Sequence, residues 1–415
     1  MKRHLLVALA ALGLLGLTGI AEAQTGITGR PVPIPQVQQL GPNDLIQDIV
    51  NGYPQANNFY ANVQLLANFS GLPRNYLDNG SLNVQQRGTG IVTCGTTTTA
   101  VYGADRWACQ ANVSSGAGRS SLVTTAALLP TGFGTVNELY RNSGSLAQPI
   151  CAIQEIPGKE SLALAGKTVT LSVYEVALAG LAADNGNVTT LSIIYGTSTD
   201  EGIQTPSTSP AITPAWTGIG FVVNQTPITI STVPARYSVT GTVPPTATEV
   251  GVEICFTPTT TSSGGVTDGF AWTGAQLEVA PSPTAYEFHS VQFDLTKAQR
   301  YYYQITESAA IFPVAMCSVT TANTYVACMI PFPVTMRAAP TVTTATGFAI
   351  PTTTGQTALT VCSALILDAT LSTMVAGTQA VQLQCTGTSF TAALGISLPL
   401  YSDNGTGLIK ASADF

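Results

Sequence analysis

From about Asn75 to its end, the chain is a succession of short Thr-, Val- and Ile-rich runs broken by Gly, Pro and Asn, and this texture constrains the fold more than any other feature. Thr168 to Val176, Thr190 to Tyr195, Arg236 to Val243 and Glu249 to Phe256 are examples. Within them apolar residues alternate with Thr, Ser or Glu, as at Val250, Val252 and Ile254, the period of two expected of strands with one buried face. Many such runs at close spacing, with no helical stretch between them, predict a β-sandwich. Only 9% of the residues are charged and 45% are hydrophobic, against about 25% charged in an average globular protein, which excludes a disordered chain. An acidic chain of pI ≈ 4.8 with no basic run is also unsuited to nucleic-acid binding, which depends on neutralising phosphates.

The first 23 residues read as an export signal: Lys2 and Arg3, an apolar stretch from Leu5 to Ile20, and small residues at Ala21 and Ala23 before Gln24. Without that segment one histidine, His289, remains. All eight cysteines lie downstream, at Cys94, Cys109, Cys151, Cys255, Cys317, Cys328, Cys362 and Cys385. An even count after an export signal predicts disulfides. Cys317 and Cys328 would oppose one another on a hairpin turning at Ala322-Asn323, with Cα atoms close enough for a bridge. Cys94 with Cys109 is the analogous neighbour pair, and Cys362 with Cys385 and Cys151 with Cys255 follow by elimination. No CxxC or paired Cys/His spacing points to a metal instead.

Residues 24–70 form a Pro- and Gln-containing lead with apolar residues three or four apart in Asp44 to Val50 and Asn57 to Asn68, a short helical attachment segment or a linker. Thr296 to Glu307, with Tyr301, Tyr302 and Tyr303, is a short helix or a strand leading into a second unit. Residues 308–415 return to β texture and hold four of the cysteines, a separate small β domain.

Several stretches in fixed order carry a resemblance. They are Asn75 to Gly88, Tyr102-Gly103-Ala104-Asp105-Arg106-Trp107, Leu164 to Val173, Arg236 to Thr240 with Glu249 to Val252, Gly274 to Val279, Tyr286-Glu287-Phe288-His289 and Ala298 to Tyr302. Together they resemble the carbohydrate-binding-module-like jelly roll of bacteriophage tail-fibre and other virion proteins, and Pro333 to Val342 is similar to the segment beyond that jelly roll in such proteins. The resemblance implies that Asn75 to Gly88 is an opening strand and that a jelly roll spans 71–292, ahead of a smaller C-terminal β-sandwich at 293–415. It also implies homotrimeric assembly, contacts with other virion or surface proteins, and calcium as a structural stabiliser, for which Asp78, Asp105 and Asp268 are possible donors.

Nucleophilic catalysis of the Ser-His or Cys-His kind needs a histidine base, and His289 falls in a strand-exit motif that suits a structural hydrogen bond. The acidic residues are scattered, although paired carboxylates of a glycosidase need not be close in sequence. Ala165-Gly166-Lys167-Thr168 lacks the earlier glycine of a phosphate loop and reads as a turn entering a strand. Aromatic rings can stack on the apolar face of a sugar, and Trp216, Trp107, Tyr301 and Tyr302 are the candidates; Trp272 reads as packing.

The expectation is an all-β, non-enzymatic protein with no catalytic cofactor, exported or on a virion surface, that adheres to cell-surface glycans. A secreted bacterial carbohydrate-binding or adhesion protein and a glycan depolymerase are the alternatives.

Overall fold

Among the described residues, twelve strands build the first sandwich in a computed structural model of the chain: β1 (Val92–Thr93), β2 (Val101–Tyr102), β3 (Ala108–Ala111), β4 (Gly118–Val123), β5 (Val136–Arg141), β6 (Ile150–Ile156), β7 (Thr168–Ala177), β8 (Val188–Gly196), β9 (Gly220–Thr229), β10 (Ala235–Thr242), β11 (Glu249–Phe256) and β12 (Gly269–Glu278). The structure describes residues 74–88, 90–95, 101–111, 118–142, 148–203, 215–259, 268–306, 312–321, 323–344, 348–351, 359–361, 364–367, 377–390, 397–402 and 408–414. The expected export signal and the attachment segment at 24–70 lie outside these residues.

The strands form two antiparallel six-stranded sheets, ordered β1-β4-β5-β12-β7-β10 and β2-β3-β6-β11-β8-β9. Beyond β5 the chain passes repeatedly from one sheet to the other, which is the jelly-roll arrangement. Alternation places Val169, Leu171 and Val173 of β7 and Val250, Val252 and Ile254 of β11 in the shared core. Trp107 and Trp272 meet edge to face there, with ring centroids 4.6 Å apart. The expected strands at Thr168, Thr190, Arg236 and Glu249 are all present, with some ends shifted by a residue or two.

Two expectations are corrected. Asn75 to Gly88 is not a strand but a looped segment, because side-chain amides take over the role of a ladder. Asn75 donates to the Ala275 carbonyl and accepts from the backbone N–H of Leu77 and Leu277, and Asn79 is bonded to Val84 and Asp105. Asn79 and Leu82 adopt left-handed backbone with φ of 49° and 60°, which interrupts regular strand geometry. In β11, moreover, both faces are buried. Its alternating polar residues were expected to meet solvent, but Tyr102, Ile203 and Trp216 pack with its outer side instead.

The C-terminal part holds β13 (Tyr302–Thr306), β14 (Phe312–Thr321), β15 (Asn323–Pro331), β16 (Thr341–Thr344), β17 (Phe348–Pro351), β18 (Leu359–Val361), β19 (Ala364–Leu367), β20 (Ala380–Phe390), β21 (Ser397–Ser402) and β22 (Leu408–Ser412). A three-stranded sheet, β13-β22-β16, and a seven-stranded one, β18-β17-β21-β14-β15-β20-β19, enclose a core that includes Val319, Val326, Ile330, Leu383, Leu400 and Ile409. Thr296 to Glu307 resolves into both expected forms. A helix, Val291–Ala298, is capped by the Ser290 side chain, which accepts from the Phe293 N–H, and strand β13 follows it.

The disulfides Cys94–Cys109, Cys151–Cys255 and Cys317–Cys328 form as expected, with Cα separations of 4.7, 4.1 and 3.9 Å. The last two join residues directly opposed in register. Cys385 is also disulfide-bonded; Cys362 lies outside the described residues. No described helix is long and apolar enough to cross a membrane.

Candidate functional site

The four rings expected to stack on sugars are all buried, so none presents a free face to solvent. Trp107 lies in the sandwich core and donates its indole N–H to the Asn79 carbonyl at 3.2 Å. Tyr301 and Tyr302 lie where the two sandwiches meet. The Arg106 guanidinium covers the Tyr301 ring at 3.5 Å and Arg87 covers Tyr302 at 3.6 Å. Trp272, as expected, is packing.

The three carboxylates named as calcium donors are not brought together. Asp78 sits between Arg106 at 3.1 Å and Lys297 at 2.9 Å, Asp105 lies 3.6 Å from Arg87, and Asp268 pairs with Arg141. No cluster of His, Cys, Asp and Glu suited to a metal occurs among the described residues. Burial pushes the Asp78 carboxyl up, but Lys297 and Arg106 outweigh it and hold it below the ordinary range. Burial wins at Asp105, pushed up to about 6 against the opposing pull of Arg87.

Trp216 anchors a different group of acids. Its indole N–H donates to the Glu201 carbonyl at 3.1 Å, and its ring lies over the outer face of β11 at Gly251. A Cβ there would come within 2.9 Å of the ring, so only glycine admits it. Glu249 and Glu253 flank Gly251 on the same face, and Glu155 is its register partner on β6. All three are buried. Burial, reinforced by Glu249, pushes the Glu155 carboxyl up to about 10. Burial alone takes Glu253 to about 8, tempered by the Ser192 hydroxyl. Neither Glu155 carboxyl oxygen has a hydrogen-bond partner among the described residues, and the neighbouring Glu249 favours a proton on Glu155.

The accessible aromatic surface lies on the other sheet and involves none of the expected rings. Phe133 is the hub. Its ring centroid is 5.3 Å from Tyr174, 5.0 Å from Tyr286 and 5.0 Å from Phe288, and Tyr286 meets Phe288 edge to face at 4.8 Å. Phe288 is 56% exposed and Tyr174 and Tyr286 are half-buried. The segment carrying Tyr286 and Phe288 is fixed by polar contacts. The Glu287 N–H donates to Gln276, the Thr284 N–H and hydroxyl donate to Glu278, and Arg236 donates to the Thr284 carbonyl and the Ser172 hydroxyl. His289, next in sequence, packs on Phe293 with ring centroids 4.6 Å apart and has its Nδ1 3.3 Å from Asp294. That hydrogen bond raises its pKa.

A break in β12 makes the cluster possible. The β7–β12 register shifts between Thr273 and Gln276, and Gly274 in the bulge has φ of 63°. A Cβ on it would lie 2.6 Å from Phe133 and 2.9 Å from Tyr174. Gly274→Ala combines left-handed backbone, roughly 1–2 kcal/mol, with overpacking, about 1–3 kcal/mol. A urea midpoint clearly below wild type is expected, together with loss of near-ultraviolet aromatic dichroism; an unchanged midpoint contradicts it. Phe133 lies in Gly-Phe-Gly and Tyr286-Glu287-Phe288 alternates between Pro- and Ser-rich flanks. That pattern of aromatics in loops was the available signal.

No known protein family and no curated protein matches the chain. The solved structures it is similar to include three of low identity. The enzymatically active domain of bacteriophage CBA120 tailspike protein 4 is 12% identical over 50% of this chain and 22% of its own, TM-score 0.27. TmCBM61, solved with beta-1,4-galactotriose, is 8% identical over 50% of this chain and 100% of its own, TM-score 0.28. The tandem CBM22 domains of Paenibacillus barcinonensis Xyn10C are 8% identical over 78% and 97%, TM-score 0.26. The chain thus spans about a fifth of the tailspike domain.

Proposed function

We propose that this is a non-enzymatic adhesion protein of the tail-fibre kind, assembled as a homotrimer on a virion, whose jelly roll recognises cell-surface glycans. The observation that carries the glycan reading is the Phe133–Tyr174–Tyr286–Phe288 cluster. An exposed ring backed by three others offers a rigid apolar face for a sugar ring. Arg236, Thr284 and Glu287 around it provide polar groups of the kind that bond sugar hydroxyls. The ordered motifs from Asn75 to Val342 support the virion setting.

A glycan array with the purified protein tests the reading. Phe288→Ala removes a side chain that is more than half exposed, so it is expected to abolish or strongly weaken retention while leaving the melting temperature within about 1 °C, since surface substitutions rarely exceed 0.5 kcal/mol. Unchanged glycan retention in that variant, or no retention by wild type, rejects it.

The export-like segment from Lys2 to Ala23 favours a second setting, a secreted bacterial adhesin, and the disulfides suit an oxidising compartment. Co-purification with particles separates the two. The depolymerase alternative would draw on Glu155 and Glu249. Both are buried, away from any glycan at the surface, which supports binding without cleavage. A reducing-end assay on any glycan retained is the check.

A further inference from the structure

The seven-stranded C-terminal sheet contains no charged residue in any of its strands. Beyond residue 307 the charged side chains are Arg337, Asp368, Asp403, Lys410 and Asp414, and none falls within the bounds of its strands. Its inner face is packed: Cys317, Val319, Val326, Cys328 and Ile330 are buried. On the opposite face β14 and β15 present Met316, Ser318, Met329 and Pro331 to solvent. Met316 is 58% and Met329 50% exposed, and the two are directly opposed in register. Pro399 and Gln382 continue the same row onto β21 and β20. An antiparallel sheet with one solvated face ordinarily turns polar, charged side chains outward. Here the central strands, not an edge, turn out thioethers, hydroxyls and proline.

We propose that this face is a self-association surface, and that its occupant is a second copy of the same chain. Charge decides the occupant. Each copy carries a formal charge of −7, so copies repel one another wherever acidic groups approach. The outer face of this sheet is a surface on which they can meet without bringing like charges together. A charged partner would have to desolvate its ions against Met316, Met329 and Pro399 with no counter-charge to compensate. An identical uncharged face has no such cost, and two flexible thioethers adapt to whatever register the contact adopts. The inference rests on the homotrimer of the proposed function and locates its contact, but stands apart from glycan binding, because the face lies on the other sandwich from the aromatic cluster.

Light scattering during size-exclusion chromatography of the full chain, with hydrogen peroxide oxidation read by mass spectrometry, tests it. Wild type is expected at a mass at least twice that of one chain. Met316 and Met329 should oxidise several-fold more slowly at high protein concentration than after dilution, while buried Met336 stays slow in both. Met316→Lys with Met329→Lys should return the protein to the mass of one chain. Val233→Lys, at a 65% exposed position on the jelly roll, should not. If the double-lysine chain does not fold, Met316→Gln with Met329→Gln reports the same mass shift. A monomeric wild type whose two methionines oxidise at one rate regardless of concentration overturns the proposal, and so does an oligomer that survives the double substitution.

Discussion

The melting temperature is expected to fall continuously as pH rises from 5 to 9. Glu155 is held up to about 10, and Glu175 and Glu253 to about 8; burial is the leading cause at each. In the unfolded chain the same groups ionise near their ordinary values of about 4.3. Between those limits the folded state holds protons that the unfolded state has released, so stability decreases with pH. It is fully present below the unfolded pKa and is lost as pH climbs through the folded values, with Glu175 and Glu253 spent by about 8 and Glu155 still contributing above that. Each such carboxyl changes stability by roughly 1 kcal/mol per pH unit. Asp105, held at about 6, adds to the slope over the lower part of the range. His289, raised by Asp294, loses stability in the same direction. Asp78 runs oppositely, since its depressed pKa confines its loss to pH below about 4. Calorimetry across this range gives the slope directly. Glu175→Gln, which keeps the hydrogen bond from Thr189 without an ionisable proton, should flatten it. A melting temperature constant or rising from pH 5 to 9 contradicts the assignment of protonated carboxyls.

Those acids also show where the sequence was readable and where it was not. Alternation in Glu249 to Phe256 located the strand and its inward residues, because period two depends only on the local backbone. Whether Glu249 and Glu253 met solvent depended on Trp216 and Ile203, dozens of residues earlier, and no local pattern carries that information. Cys317 and Cys328 were readable for the same reason as the strand, since a hairpin fixes their register. Asn75 to Gly88 misled because its amides bond backbone groups on remote segments, a substitute for strand pairing that leaves no periodic trace. The tryptophans, singled out as sugar platforms by residue type, went to the interior, where large rings bury the most area. The exposed platform came from aromatics at separate sites in the chain, brought together by the Gly274 bulge.

Arg106→Ala is expected to lower stability by about 3–5 kcal/mol, the range for breaking a buried ion pair by removing one partner, and the melting temperature by on the order of 10 °C. Arg106 is buried and ties three segments together. It pairs with Asp78, donates to the Glu155 carbonyl at 2.7 Å and covers the Tyr301 ring. The Tyr301 carbonyl in turn accepts from the Ala413 N–H at 2.7 Å, at the end of the C-terminal sandwich, so loss of Arg106 loosens both sandwiches. The backbone does not confound the experiment, because φ at Arg106 is 72° and alanine is strained there about as much as arginine. Arg106→Gly, free of that strain, should recover roughly 1 kcal/mol relative to alanine. Asp78→Asn leaves Arg106 and Lys297 facing one another without the carboxylate between them, and should cost a comparable amount. Combined with Arg106→Ala it should cost less than the sum of the two, as residues sharing one ion pair do. Full additivity in that cycle, or a loss below about 1 kcal/mol for Arg106→Ala, rules out the pair as the tie between the sandwiches.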